Sequence, residues 1–146
     1  MNEIMPEPIT PLLTVDAVIL INDKKDIVLI HRKKPPFKGE LALPGGFVEV
    51  GETVEDACIR EAKEETNIKV KILQLIGVFS NPKRDPRDHI VTIGFLCESS
   101  TKNEKPKAMD DAAALEIVPL LKISSLKLAF DHKEIIKASG ILNNLK

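Results

Sequence analysis

The sequence predicts an α/β domain in which helices flank a mixed β-sheet, and three features carry that reading. β-rich runs occur as neighbours joined by polar turns. A long helical stretch, with a capping residue at each end, lies among them. The order of strands and helices departs from strict βαβ alternation, which favours a mixed sheet over a parallel one.

Taken in order, residues 14–21 (TVDAVILI) and 27–33 (IVLIHRK) flank the polar turn NDKKD and form a hairpin. The stretch 34–40, KPPFKGE, breaks the pattern. Residues 41–50, LALPGGFVEV, are extended with a kink at Pro44-Gly45-Gly46. A helix runs from Thr53 to Thr66, with Thr53 as its cap and Asn67 closing it. Residues 68–79 form a long strand, and 89–98 return antiparallel to it. Between them lies the loop SNPKRDPRD, punctuated by Pro82 and Pro86 and carrying Lys83, Arg84 and Arg87. A polar loop over 99–109 leads to a short strand at 113–119. A second helix follows over 125–139, with apolar Leu126, Leu128, Ile135 and Ile136. No repeat or linker interrupts this order, so residues 1–146 are expected to form one domain, with 1–11 an irregular arm.

The chain is 43% hydrophobic and 29% charged with a net charge of −1, which removes any bulk electrostatic reason to expect nucleic acid or an acidic membrane as partner. Trp and Tyr are absent, so the core must rest on Ile, Leu, Val and five Phe. Cys58 and Cys97 lack metal-type spacing and read as buried thiols of a reducing compartment. The start, MNEIMPEPITP, lacks an apolar signal core, so a cytoplasmic protein without signal peptide or membrane anchor is expected.

The helix carries the chemistry. Wound at 3.6 residues per turn, Val54, Ala57, Cys58 and Ala62 form its less polar stripe, and Glu61 and Glu65 project from that same stripe. Glu64 lies at its edge beside Arg60, four residues away, where an ordinary surface ion pair accounts for it. No cationic neighbour on the stripe accounts for Glu61 and Glu65. Two partly buried carboxylates near a helix C-terminus repel each other and the helix dipole, and a hard divalent cation with oxygen ligands relieves both.

Gly46, five residues, Glu52, seven residues, then Arg60-Glu61-Ala62-Lys63-Glu64-Glu65-Thr66-Asn67-Ile68 resembles the Nudix box, G-x5-E-x7-R-E-U-x-E-E-x-G-U with U apolar. Asn67 stands where that family has Gly; Asn is the next best residue for a left-handed helix terminus. The resemblance implies an α/β/α sandwich around a central mixed sheet, and hydrolysis of a nucleoside diphosphate linked to another group with Mg²⁺ or Mn²⁺. It implies Glu61 and Glu65 as principal metal ligands, Glu64 as a further ligand or water-orienting group, and the Gly45 carbonyl as a backbone ligand. Glu52 and Arg60 would form a structural ion pair. For the general base, Asp110, Asp111, Glu104 and Glu64 are all available; Asp111, Glu64 and Glu61 are the catalytic candidates carried forward.

Outside the box, PPFKGELALPGGFVE, SNPKRDPRDH and LAFDHKEI are similar to small ADP-ribose pyrophosphatases and to Nudix domains of NAD-related regulators. That likeness implies ADP-ribose as substrate, cleaved to AMP and ribose 5-phosphate. The alternatives are a nucleoside triphosphate such as 8-oxo-dGTP, or a non-catalytic sensor of NAD-derived ligands. Arg84 and Arg87, restrained by the two prolines, form a candidate substrate clamp with Arg32 at its strand end. His89 reads as a structural hydrogen-bonder. Ala114, Ile117 and Leu41 replace a Glu and two Trp common in relatives, so a stacking partner for a base falls to Phe37 or Phe47. The expected partner is a small nucleotide, and the expected assembly a homodimer.

Overall fold

The computed structural model describes residues 6–101, 105–107, 112–143 and 145. Among these, seven strands form one mixed sheet: β1 (Leu12–Ile21), β2 (Asp26–Arg32), β3 (Leu41–Ala42), β4 (Gly45–Phe47), β5 (Val70–Phe79), β6 (Ile90–Ser99) and β7 (Ala112–Pro119). Helix α1 spans Val54–Thr66, a 3-10 turn spans Leu120–Ser125, and α2 spans His132–Ala138. The order β3-β2-β1-β6-β5 is the main path, with β4 added to β1 and β7 to β2.

The β1–β2 hairpin pairs only at Leu20 with Ile27 and Ile21 with Asp26. Beyond that the strands part, because each has a longer partner elsewhere. β1 runs parallel to β6 from Leu12 to Leu20, and β2 runs antiparallel to β7 over its full length. The segment Leu41–Phe47 fills the opening, pairing first with β2 and then with β1. Pro44 is the crossing point, where its carbonyl accepts from Ala17 N–H at 2.8 Å. This crossing puts Gly45 and Gly46 at the mouth of a cleft.

Both faces of the sheet are covered, so central strands are apolar throughout instead of alternating. Val18, Leu20, Leu29 and Leu96 pack on Ile135 and Ile136 of α2. Val15, Ala17, Ile19, Phe95 and Cys97 pack on Ala57, Cys58 and Ala62 of α1. The cysteines are free and buried, their sulfurs 3.8 Å apart; that contact and burial push the Cys58 thiol's pKa up. Among the described residues, no helix is long and apolar enough to cross a membrane.

The second helix is shorter than the expected 125–139. Leu126 and Leu128 are two apart, a strand spacing, and Leu128 forms a parallel bridge with Leu41. Helix α2 starts only after Phe130, whose φ of 52° lies outside the helical region.

Helix α1 matches its expected bounds. Thr53 Oγ1 accepts from Asp56 N–H at 3.0 Å, and Asn67 adopts φ 62°, ψ 17° while donating to the Lys63 carbonyl. Asn67→Ala is expected to destabilise the protein by about 1 kcal/mol, since only the left-handed geometry closes the helix. Asn67→Gly is expected to be neutral or slightly stabilising. Denaturant unfolding of the two variants checks the order.

Candidate active site

Glu61 and Glu65, one turn apart on α1, both face a cavity of about 360 Å³. Glu65 is 6% exposed, and one of its oxygens accepts from Gly45 N–H at 3.1 Å. Glu61 is packed against Gly46 so closely that a Cβ there would fall within 2.7 Å of all three carboxyl atoms. At Gly45 a Cβ would meet the Val15 carbonyl oxygen at 2.1 Å. The glycines are required by space: the chain crosses between sheet halves directly against the two carboxylates.

Arg60 organises the acids around this turn. It donates Nε and Nη2 to the two Glu52 oxygens at 3.0 and 2.6 Å, and Nη2 also to the Phe47 carbonyl at 3.0 Å. Its Nη1 donates to Glu61 at 2.8 Å and to Glu64 at 3.2 Å. Glu61 therefore has a cationic neighbour, contrary to the helical-wheel expectation: Arg60 reaches around from the adjacent position. Glu64 is exposed on the rim and does not line the cavity. The Arg60 bonds, then the Glu49 N–H, hold the Glu52 carboxyl at about 2, below its ordinary 4.5. Hydrogen bonding to Glu52 in turn raises the pKa of Arg60.

The opposite wall is cationic and aromatic. Arg87 pairs with Asp85 at 2.7 Å and lies 5.4 Å from the Phe130 ring centre and 5.8 Å from that of Phe47. Arg32 lies 4.8 Å from the Phe130 ring centre and donates Nε to the Pro36 carbonyl at 2.7 Å. Burial, then repulsion from Arg87, lowers the Arg32 pKa, whereas the bond to Asp85 raises that of Arg87. Burial pushes the Asp85 carboxyl up, but its side-chain and backbone bonds from Arg87 outweigh this and the net shift is downward. Phe47 is 44% exposed at the cavity edge.

Arg84 differs from the clamp read from its loop. Its side chain is 4% exposed and makes four hydrogen bonds: two to Asp131, at 2.8 and 2.6 Å, one to Thr92 and one to the Ile90 carbonyl. It touches the cavity, yet its donors are committed to fixing the loop against β6 and the start of α2. His89 bonds the Ser80 carbonyl within the same loop. Asp110, Asp111 and Glu104 lie outside the described residues.

Sequence reasoning passed over the cavity floor. His132 Nδ1 accepts from Leu43 N–H at 2.9 Å, which leaves Nε2 to carry the proton towards Asp16, 3.2 Å away. Both residues are buried and line the cavity. The available signal was Asp16 itself, the lone charge inside the apolar run TVDAVILI. Among the described residues, no set of three His, Cys, Asp or Glu side chains is arranged to hold a metal ion alone. Two carboxylates lining one cavity instead fit a hard divalent cation that takes the rest of its oxygen ligands from elsewhere.

A box of this spacing on this fold defines a phosphate-anhydride hydrolase of one family, and the chain belongs to it: the NUDIX domain model matches residues 10–138. The chain is 50% identical over 127 residues to an ADP-ribose pyrophosphatase of Methanocaldococcus jannaschii, covering 87% of this chain and 72% of that protein. The ADP-ribose-bound NUDIX domain of Shewanella oneidensis NrtR superposes with a TM-score of 0.78 at 28% identity, over 89% of this chain and 86% of that one. A bifunctional NMN adenylyltransferase/ADP ribose pyrophosphatase of Francisella tularensis, with AMP and Mn bound, gives 0.75 at 33% identity, over 88% of this chain and 40% of that one.

Two expectations follow from this geometry. Because the folded Glu52 carboxyl titrates near 2 rather than 4.5, its contribution to stability is present above pH 4.5 and is lost as pH falls towards 2. The melting-temperature gap between wild type and Glu52→Gln should therefore close over that window. Arg84→Ala should cost about 2–3 kcal/mol of stability, because it leaves Asp131 without its bidentate partner; urea unfolding measures it.

Proposed function

We propose that the chain hydrolyses ADP-ribose to AMP and ribose 5-phosphate, with Mg²⁺ or Mn²⁺ held by Glu61 and Glu65. The observation that carries this is one cavity with two differently charged walls. Glu61 and Glu65 stand on one side, and Arg32 and Arg87, layered with Phe130 and Phe47, stand on the other. A nucleoside diphosphate joined to a sugar carries what each wall needs: phosphates for cations on both sides and a planar base for the aromatic edge. The identity to a named ADP-ribose pyrophosphatase supports the same substrate.

When bound, the divalent cation offsets phosphate charge and acidifies water. The residues of the chain do the placing. Gly45 N–H orients Glu65, and Arg60 orients Glu61. Arg32 and Arg87 draw the diphosphate to the opposite wall, and Phe47 offers an exposed ring to the base. The Gly45 carbonyl would complete the ligand set, whereas Glu64, paired with Arg60 outside the cavity lining, would act only through that ion pair. Water attacks one phosphorus, the bridging P–O bond breaks, and each product leaves with one phosphate. A homodimer acting in the cytoplasm is part of this proposal.

The NrtR domain favours a second reading, in which ADP-ribose is bound without turnover. Incubation with ADP-ribose and Mg²⁺, followed by chromatography of the products, separates the two. AMP and ribose 5-phosphate are expected; an intact ligand, or faster cleavage of a nucleoside triphosphate, overturns the proposal. Glu61→Gln and Glu65→Gln should each lower turnover by several orders of magnitude with circular dichroism unchanged. Near-normal turnover of either at saturating Mg²⁺ removes that residue from the ligand set.

A further inference from the structure

Phe37 and Phe130 occupy left-handed backbone conformations, with φ of 61° and 52°. Bulky residues rarely adopt that region, and such outliers persist where surrounding structure holds them. The two rings touch edge-on, their centres 4.7 Å apart and their planes at 62°. A hydrogen bond holds the Phe37 backbone, and another anchors the residue before Phe130. Glu40 N–H donates to the Phe37 carbonyl at 3.0 Å, and Ala129 N–H donates to the Leu41 carbonyl at 2.8 Å.

What this strain accomplishes is the placement of the Phe130 ring beneath two guanidiniums at once. Those of Arg32 and Arg87 lie within cation–π range of that one ring, and the Asp85 carboxylate, paired with Arg87 at 2.7 Å, offsets only part of their mutual repulsion. Among the described residues, the hydrogen bond made by the Arg32 side chain is the one from Nε to Pro36, so its terminal nitrogens remain available. A strained backbone, paired cations and unused donors in one wall do not serve the stability of the empty protein. A polyvalent phosphate entering the cavity relieves the repulsion and takes up the donors.

We propose that Phe130, backed by Phe37, is a specificity-determining positioning residue that holds Arg32 and Arg87 together as a receptor for the diphosphate of the substrate. It rests on the hydrolase reading above for its substrate, but not for its anion. Phe130 acts through the two arginines and takes no part in bond breaking, so its loss weakens binding and spares the chemical step.

Phe130→Leu should raise KM for ADP-ribose about tenfold with kcat within about twofold, and Phe130→Tyr should restore KM. Calorimetric titration of inorganic pyrophosphate in EDTA tests the guanidinium pair with no metal present and no reaction needed. Wild type should bind, and Phe130→Leu should bind about tenfold more weakly. Phe130→Gly should melt at or above Phe130→Ala, because glycine accepts the positive φ. An unchanged KM and pyrophosphate affinity in Phe130→Leu overturns the inference, as does failure of wild type to bind pyrophosphate. A glycine variant melting below the alanine variant overturns the strain argument on which it stands. If pyrophosphate binding follows the prediction but ADP-ribose is not cleaved, the functional reading fails and the receptor remains.

Discussion

The guanidinium of Arg60 is the contact on which the site depends. Glu49, Glu52, Glu61 and Glu64 all approach it, and without a central cation these acids would repel one another. The four contacts are not equal. An exposed i,i+4 pair such as Arg60 with Glu64 contributes about 0.3–0.5 kcal/mol. The two-pronged bond to Glu52 is short and geometrically restrictive, and the added bond to the Phe47 carbonyl ties the loop backbone to the helix. Through these bonds the turn at Gly45-Gly46 is held against Glu61 and Glu65, so site geometry follows from a structural ion pair outside the cavity.

Charge in the cavity is neutralised only in part: Arg87 pairs with Asp85 at 2.7 Å and Glu61 with Arg60 at 2.8 Å. Glu61, Glu65 and Asp16 lie towards α1 and β1, while Arg32 and Arg87 lie across the cavity. Asp16 nonetheless reaches both arginines electrostatically: with Asp85 and Glu65 it opposes the net lowering of the Arg32 pKa, and it adds to the rise that Asp85 causes at Arg87. The proton that His132 carries towards Asp16 keeps that carboxylate in place, since Leu43 N–H occupies the other ring nitrogen. Under the proposed function, a divalent cation and a diphosphate would complete this arrangement.

Features set by local periodicity were legible in the sequence. The placement of Glu61 and Glu65 on the inward side of α1, and its ends at Thr53 and Asn67, depend on a few adjacent residues. Features set by distant partners were not. The hairpin from 14 to 33 was readable, but its divergence after two residue pairs is decided by β6 and β7, far along the chain. Arg84 shows the same limit. A proline-bounded basic loop looks alike whether its guanidinium meets a ligand or Asp131, which becomes adjacent only when α2 packs on the sheet. Asp16 lies on β1, whereas Phe130 and His132 sit together at the start of α2, far along the chain, so their convergence with Asp16 had no local signature. The late start of α2 has another cause: the two-residue spacing of Leu126 and Leu128 suits an extended chain, and Leu128 bridges to Leu41.

Apart from the positive-φ turn at Asn22, Asp23 and Lys24, several departures from ordinary local preference lie at the cavity. Gly45 and Gly46 lack side chains where carboxylates and a crossing backbone need the space. Phe37 and Phe130 accept unfavourable backbone angles where two cations must share a ring. Glu65 and Asp16 are carboxylates buried in the cavity lining. The packed faces of the sheet show no comparable compromise: aliphatic side chains from β1, β2 and β6 meet the two helices in ordinary apolar layers. Relieving any one of the strained segments would be expected to favour the empty fold over the bound one, which is how a binding site differs physically from a core.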